Sequence, residues 1–109
     1  MTQLAHVEAI ARELAEELRR VYGPRLRELV LYGSWARGDA RPDSDIDFLV
    51  VLDDYEGFSR ELDRIVGVSV GLTLEHNVYV SAQPISVERY RESEESFLDE
   101  VRREGKRVA

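Results

Sequence analysis

The chain has 109 residues, 43% apolar and 34% charged, which suits one domain around one modest core. Fifteen basic side chains face 22 acidic ones, and the net charge of −7 argues against a long nucleic-acid polymer as the main partner, because such binding runs on phosphate neutralisation. No stretch reaches the ~20 apolar residues of a membrane span, Glu8, Glu13, Glu16 and Glu17 interrupt any signal pattern, and without cysteine there are no disulfides or thiolate metal sites. The expected location is the cytoplasm.

In chain order, residues 3–22 carry Leu4, Val7, Ile10, Leu14, Leu18 and Val21 at spacings of three and four, one apolar stripe on a helix. Gly23-Pro24 stops it. "ELVLY" at 28–32 reads as a short strand broken by Gly33. "IDFLVVL" at 46–52 is apolar at nearly every position, the pattern of a strand buried on both faces. "DDYEG" at 53–57 reads as a loop. A helix over 58–75 follows, carrying Phe58, Leu62, Ile65, Val66, Leu72 and Leu74 and weakened by Gly67 and Gly71. "NVYVSAQPI" at 77–85 is a third strand, which Pro84 is expected to end. Ser86 caps a final helical region through Val101, and the basic ending "RREGKR" at 102–107 reads as a solvated helix end. With no repeat, low-complexity segment or linker, residues 1–109 are expected to form a single domain: a small α/β (α+β) unit with a mixed sheet flanked by helices.

The stretch "GSWARGDARPDSDID" at 33–47 carries the chemistry. Asp45 and Asp47 are two residues apart, so they project from one face at the start of the most buried strand. Two such carboxylates repel one another unless a cation sits between them. A hard divalent ion such as Mg²⁺ is held in this way, by one or two carboxylates together with substrate phosphates. Gly33 lets backbone approach a ligand closely. A short helix starting at Ser34 would offer N–H groups and a hydroxyl to phosphate. Arg37 and Arg41, in the same connection, could balance triphosphate charge, although each also reads as a solvent-facing charge. Trp35 packs under the turn or contacts a partner. His6 and His76 stand alone in the sequence and read as a surface residue and a helix-end cap.

Other motif readings fail. Asp43, Asp45 and Asp47 match the first ligand positions of a calcium loop, but Phe48 stands where that loop needs glycine. Neither GxxxxGK nor GxGxxG occurs.

Gly33-Ser34, ten residues, then Asp45-Ile46-Asp47 resembles the GS-x10-DxD signature of the DNA polymerase β-like nucleotidyltransferases. The run "LYGSWARGDARPDSDIDFLVVL" looks like the minimal nucleotidyltransferase (MNT) group, whose members are often antitoxin partners of HEPN-domain RNase toxins. The resemblance is strongest over residues 26–52. It implies the polymerase β-like fold, nucleotide phosphates on Gly33 and Ser34, and two Mg²⁺ ions on Asp45 and Asp47. It also implies an enzyme that moves a nucleoside monophosphate, AMP from ATP, to a hydroxyl and releases pyrophosphate. In toxin–antitoxin members the acceptor is a tyrosine of the HEPN toxin.

One departure matters. Members of the family usually place a third carboxylate on a later strand, as general base and metal ligand. "NVYVSAQPI" has none, and Glu75, immediately before it, is the nearest candidate. Asp53 and Asp54 lie at the far end of the second strand. Either Glu75 serves, or the base is absent, or the acceptor is deprotonated another way. The alternative function is therefore a weak or inactive nucleotide-binding antitoxin that neutralises its partner by occlusion. A core this small lacks a second domain to hold a polymer, which favours a protein partner. Whether the assembly is a homo- or hetero-oligomer is left open.

Overall fold

The computed structural model describes residues 3–109. Their elements are α1 (Gln3–Tyr22), β1 (Leu26–Tyr32), α2 (Ser34–Arg37), β2 (Ile46–Leu52), α3 (Phe58–His76), β3 (Val80–Ser86), α4 (Val87–Glu92), α5 (Ser96–Glu104) and β4 (Lys106–Arg107). The four strands form one mixed sheet in the order β3-β2-β1-β4. β1 runs antiparallel to β2 and to β4, and β2 runs parallel to β3. This is the expected small mixed sheet flanked by helices. No helix among the described residues is long and apolar enough to cross a membrane.

The central strand explains the layering. Ile46, Phe48, Val50 and Leu52 point to one face of the sheet and are covered by α1 and α3 through Ile10, Leu14, Leu18, Ile65 and Leu72. Leu49 and Val51 point to the other face and meet Val87 and Tyr90 of α4 and Leu98 and Val101 of α5. A strand covered on both sides is apolar nearly throughout, as β2 is at every position but Asp47. Along α1 the stripe narrows from the expected one. Val7 through Leu18 are buried, but Leu4 and Val21 are exposed, and Tyr22 takes the inner place at the helix end.

Several boundaries differ from expectation. α3 runs on to His76 despite Gly67 and Gly71, then stops at Asn77 in the left-handed conformation (φ 54°). The third strand consequently begins at Val80 and not at residue 77. Pro84 lies inside β3 instead of ending it; β3 is a sheet edge, the position in a sheet where proline is tolerated. The final helical region is two helices broken at residues 93–95. The Arg102 guanidinium spans the break, donating to the carbonyls of Tyr90 and Ser93 at 2.6 Å each. Finally, the basic ending is a helix end only in its first half, where Arg102 and Arg103 lie in the last turn of α5. Lys106 and Arg107 form β4 against Leu31 and Val30 of β1, and the Leu29 N–H donates to the Ala109 carbonyl at 3.0 Å.

Glu61 is a buried acid in the loop-side turn of α3, with no exposed surface. It accepts from Arg25 at 2.7 Å, Arg64 at 2.9 Å, the Glu56 N–H at 3.0 Å and the Tyr22 hydroxyl at 3.1 Å. Burial opposes its ionisation. The Glu56 N–H, Arg64, Tyr22 and Arg25 together outweigh burial and hold its carboxyl below the usual range. This network fastens the start of α3 to the β1 side of the sheet and leaves no buried polar side-chain atom unsatisfied among the described residues.

Candidate active site

The register of β1 on β2 makes the site. Tyr32, the last residue of β1, pairs with Asp47. The chain then turns at Gly33, whose φ of 78° lies in the region that glycine occupies at least cost. A side chain here would displace the Asp47 carboxylate, because a Cβ built at Gly33 would lie 2.8 Å from Asp47 Oδ2. The turn therefore presents bare backbone to a carboxylate. α2 starts at once with Ser34, and the N–H groups of Ala36 and Arg37 both donate to the Gly33 carbonyl at 3.1 Å. Gly38, also at positive φ, closes that single helical turn.

The connection back to β2 is tied at both ends. Trp35 Nε1 donates to the Ser44 carbonyl at 3.1 Å, and the indole packs against the core. Trp35 thus takes the packing role. The Arg41 N–H donates to Ser44 Oγ at 2.8 Å. These ties deliver Asp45 and Asp47 beside the Gly33 turn.

The electrostatics carry a clear sign. Partial burial, and then the charge of Asp45, raise the pKa of Asp47. Asp45 itself is exposed at the sheet end. Burial, and then Asp47, push the Tyr32 hydroxyl up to about 12, so it stays protonated and donates rather than abstracts. Two carboxylates, one of them reluctant to ionise, beside a bare backbone turn form an acceptor set that a hard cation would relieve. The residues present therefore fit a Mg²⁺ ion.

The structure brings Gly33, Ser34, Asp45 and Asp47 together. Arg37 stands at the end of α2, ion-paired with Asp39 at 3.2 Å. It lines a cleft of about 160 Å³ with Tyr32, Gly33, Phe97, Glu100 and Glu104. Arg41 is exposed in the connection. Glu75 is the correction. It sits on the last turn of α3, the helix layer covering the face opposite to Asp47, and its neighbours are Glu13 and His76. The charge acting on Asp47 is that of Asp45. Helix α3 packs on the Phe48 face of the sheet, and Glu75 on its last turn goes with that layer and not with the Asp47 face. Asp53 and Asp54 are at the far end of β2, where Asp53 pairs with Arg27 at 2.9 Å.

In β3 the residue in register with Asp47 is Ser81, and Gln83 follows on the same face beside Leu49. Neither is acidic. Sequence reasoning missed Tyr32 and Phe97, whose rings meet edge to face at 5.4 Å. They edge a second cleft of about 250 Å³ on the Asp47 side of the sheet, together with Phe58, Gln83 and Arg89. Tyr32 could have been found from its place immediately before Gly33; Phe97 lies 65 positions on and gives no local signal.

Residues 11–105 match the nucleotidyltransferase domain family. The chain belongs to that family. The protein adenylyltransferase MntA of Thermococcus cleftensis is 32% identical over 77 residues, covering 69% of this chain and 76% of the relative. Two solved structures share the fold of this nucleotidyltransferase domain. One is a toxin–antitoxin structure with AMP-PNP, at TM-score 0.59 and 23% identity, covering 88% of this chain and 70% of the other. The second is a candidate nucleotidyltransferase from Sulfolobus solfataricus, at TM-score 0.67 and 19% identity, covering 98% and 86%. The matched span of the nucleotidyltransferase domain contains the Gly33 turn, both aspartates and every strand but β4.

Proposed function

We propose that this nucleotidyltransferase domain is a Mg²⁺-dependent protein adenylyltransferase that acts as an antitoxin, moving AMP from ATP to a tyrosine of a HEPN-type toxin in the cytoplasm. The observation that carries the reading is the apposition of the Gly33 turn with Asp47, with Asp45 beside it. The name of the Thermococcus relative supports the transfer to protein, and the toxin–antitoxin neighbour with AMP-PNP supports the partner class and the nucleotide.

In this reading Gly33 and Ser34 receive the phosphates, since no side chain at 33 stands in their way. Arg37 and Arg41 lie in the same connection and supply positive charge to the triphosphate. Asp45 and Asp47 hold two Mg²⁺ ions. Bound there, Mg²⁺ neutralises phosphate charge and supports displacement at phosphorus. The acceptor oxygen forms a bond to the α-phosphorus, the bond from that phosphorus to the α–β bridging oxygen breaks, pyrophosphate departs, and the acceptor proton passes to solvent. The protonated Tyr32 hydroxyl is suited to donate a hydrogen bond at the site floor, not to act as a base.

Ser81 beside Asp47 favours a second reading. Without a third carboxylate the general base is missing, which costs ~10²–10⁴-fold in rate. A domain slowed that far binds nucleotide and neutralises its partner by occlusion. Calorimetry with Mg²⁺ and a non-hydrolysable ATP analogue tests the site common to both readings. Binding that needs Mg²⁺ and is lost in Asp45→Asn/Asp47→Asn supports the assignment. Equal binding by that double variant would reject it.

A further inference from the structure

Away from the aspartate pair, a second group of ligand-bearing side chains joins α1 to α3. His76 Nε2 lies 3.0 Å from Glu13 Oε2 and 3.9 Å from Glu75 Oε2. One ligand atom from each of Glu13, Glu75 and His76 lies within 4.8 Å of the others. His6, 70 positions earlier, places its Nε2 at 3.0 Å from His76 Nδ1. The two histidines that stand alone in the sequence are therefore partners, and the imidazole of His76 is fixed through its far nitrogen. Metal-ligating histidines are oriented by this kind of support.

The setting favours a cation. Beside the group lies a cleft of about 510 Å³, floored by Gly67 and Gly71 and edged by Glu13, Glu16, Glu17 and Glu75. Of these four acids, Glu17 pairs with Arg20. Among the described residues, Glu13 and Glu75 have no ion-pair partner other than His76. His76 is mostly buried, with 15% of its side chain exposed, whereas Glu75 is 60% exposed and free to swing inward. A proton on His76 satisfies one carboxylate at a time; a divalent ion satisfies both.

We propose that Glu13, Glu75 and His76 bind a Zn²⁺-class divalent cation, with His6 orienting His76 and water completing the coordination. One imidazole nitrogen with two carboxylate oxygens is a zinc-type donor set with an open position. Ligand atoms about 2.1 Å from a tetrahedral ion stand about 3.4 Å from one another. The distances of 3.0 and 3.9 Å at His76 Nε2 bracket that value. Closing on the ion needs Glu13 to draw back and Glu75 to move in by about half an ångström each relative to His76 Nε2. The ion would clamp the two helices that cover one face of the sheet, on the side opposite Asp47. It is independent of the nucleotide chemistry.

The test is calorimetric titration of the full chain with ZnCl₂ in the Asp45→Asn/Asp47→Asn background, so that the aspartate pair cannot contribute. The expected result is one Zn²⁺ per chain, with affinity lowered at least tenfold by Glu75→Gln and lost in His76→Gln. The thermal midpoint should rise by about 10 °C at a hundredfold excess of Zn²⁺ over its Kd. Glu75→Gln alters an exposed side chain and keeps the test valid if His76→Gln fails to fold. No zinc binding, or binding that both substitutions leave unchanged, overturns the proposal.

Discussion

Gly33→Ala separates the backbone cost of a turn from the chemical cost of blocking a site. The new Cβ would meet two obstacles. Gly33 has φ 78° and ψ −155°, a conformation that costs a side-chain-bearing residue about 1–3 kcal/mol. The methyl would also stand 2.8 Å from Asp47 Oδ2, a distance real Cβ atoms do not keep, so the carboxylate must swing away. Gly38→Ala is the matched control. Its φ is 85°, in the left-handed region, and an added methyl would have nothing within 4 Å, so the substitution costs about 1–2 kcal/mol of strain and meets no neighbour. Urea denaturation should therefore show Gly33→Ala destabilised at least as much as Gly38→Ala. Calorimetry with Mg²⁺ and an ATP analogue should show Gly38→Ala binding within about twofold of wild type and Gly33→Ala weakened more than tenfold, on the scale of about 1.4 kcal/mol per decade. Wild-type affinity in a folded Gly33→Ala would refute the idea that bare backbone at this turn shapes the site.

Asp47→Asn should stabilise the fold while it abolishes Mg²⁺-dependent binding. The raised pKa of Asp47 means that its ionised form is disfavoured in the folded chain at neutral pH. Removing the charge should give about 0.5–2 kcal/mol in urea melts at pH 7, and the gain should shrink as pH falls through the folded pKa of Asp47, where wild type is protonated too. A destabilised Asp47→Asn would contradict this. Glu61→Gln should cost about 3 kcal/mol, because Arg25 and Arg64 lose their buried countercharge and an NH₂ group replaces one of the two acceptor oxygens; an unchanged urea midpoint would show the network to be inert. The carboxyls of Glu56 and Glu61 are held below the usual range, Glu56 by Arg64 and Arg60 first, and Glu61 by bonds that outweigh its burial. Their contribution is present above the unfolded carboxylate pKa and is lost as pH falls through the lower folded values, so the acid unfolding transition should move to higher pH in Glu61→Gln. Gly105→Ala should loosen β4, since its Cβ would lie 2.5 Å from the Val101 carbonyl oxygen and 2.8 Å from Val30 Cγ1, and hydrogen exchange at Leu29 should then accelerate.

What is legible in the sequence is local. β2 can be read because a strand covered on both faces is apolar at nearly every position, and the Gly33 turn because its residues meet Asp47 across an antiparallel connection. The edge position of β3, which lets Pro84 sit inside it, depends on the order of the whole sheet. β4 is hidden because two charged residues become a strand only when β1 offers them an edge. The place of Glu75 is hidden because it depends on which face of the sheet α3 covers, and that follows from the packing of α3 on Ile46, Phe48 and Val50 and not from local sequence. The meeting of His6 with His76 lies 70 positions apart and follows from the packing of α1 on α3 alone.

The most direct measurement of the central claim is label transfer. The protein is mixed with Mg²⁺, α-labelled ATP and the proposed HEPN-type partner, with Asp45→Asn/Asp47→Asn run in parallel. The account predicts label on a partner tyrosine that disappears in the double variant. An unlabelled partner, neutralised equally by both forms, would contradict transfer and leave occlusion as the mode of action.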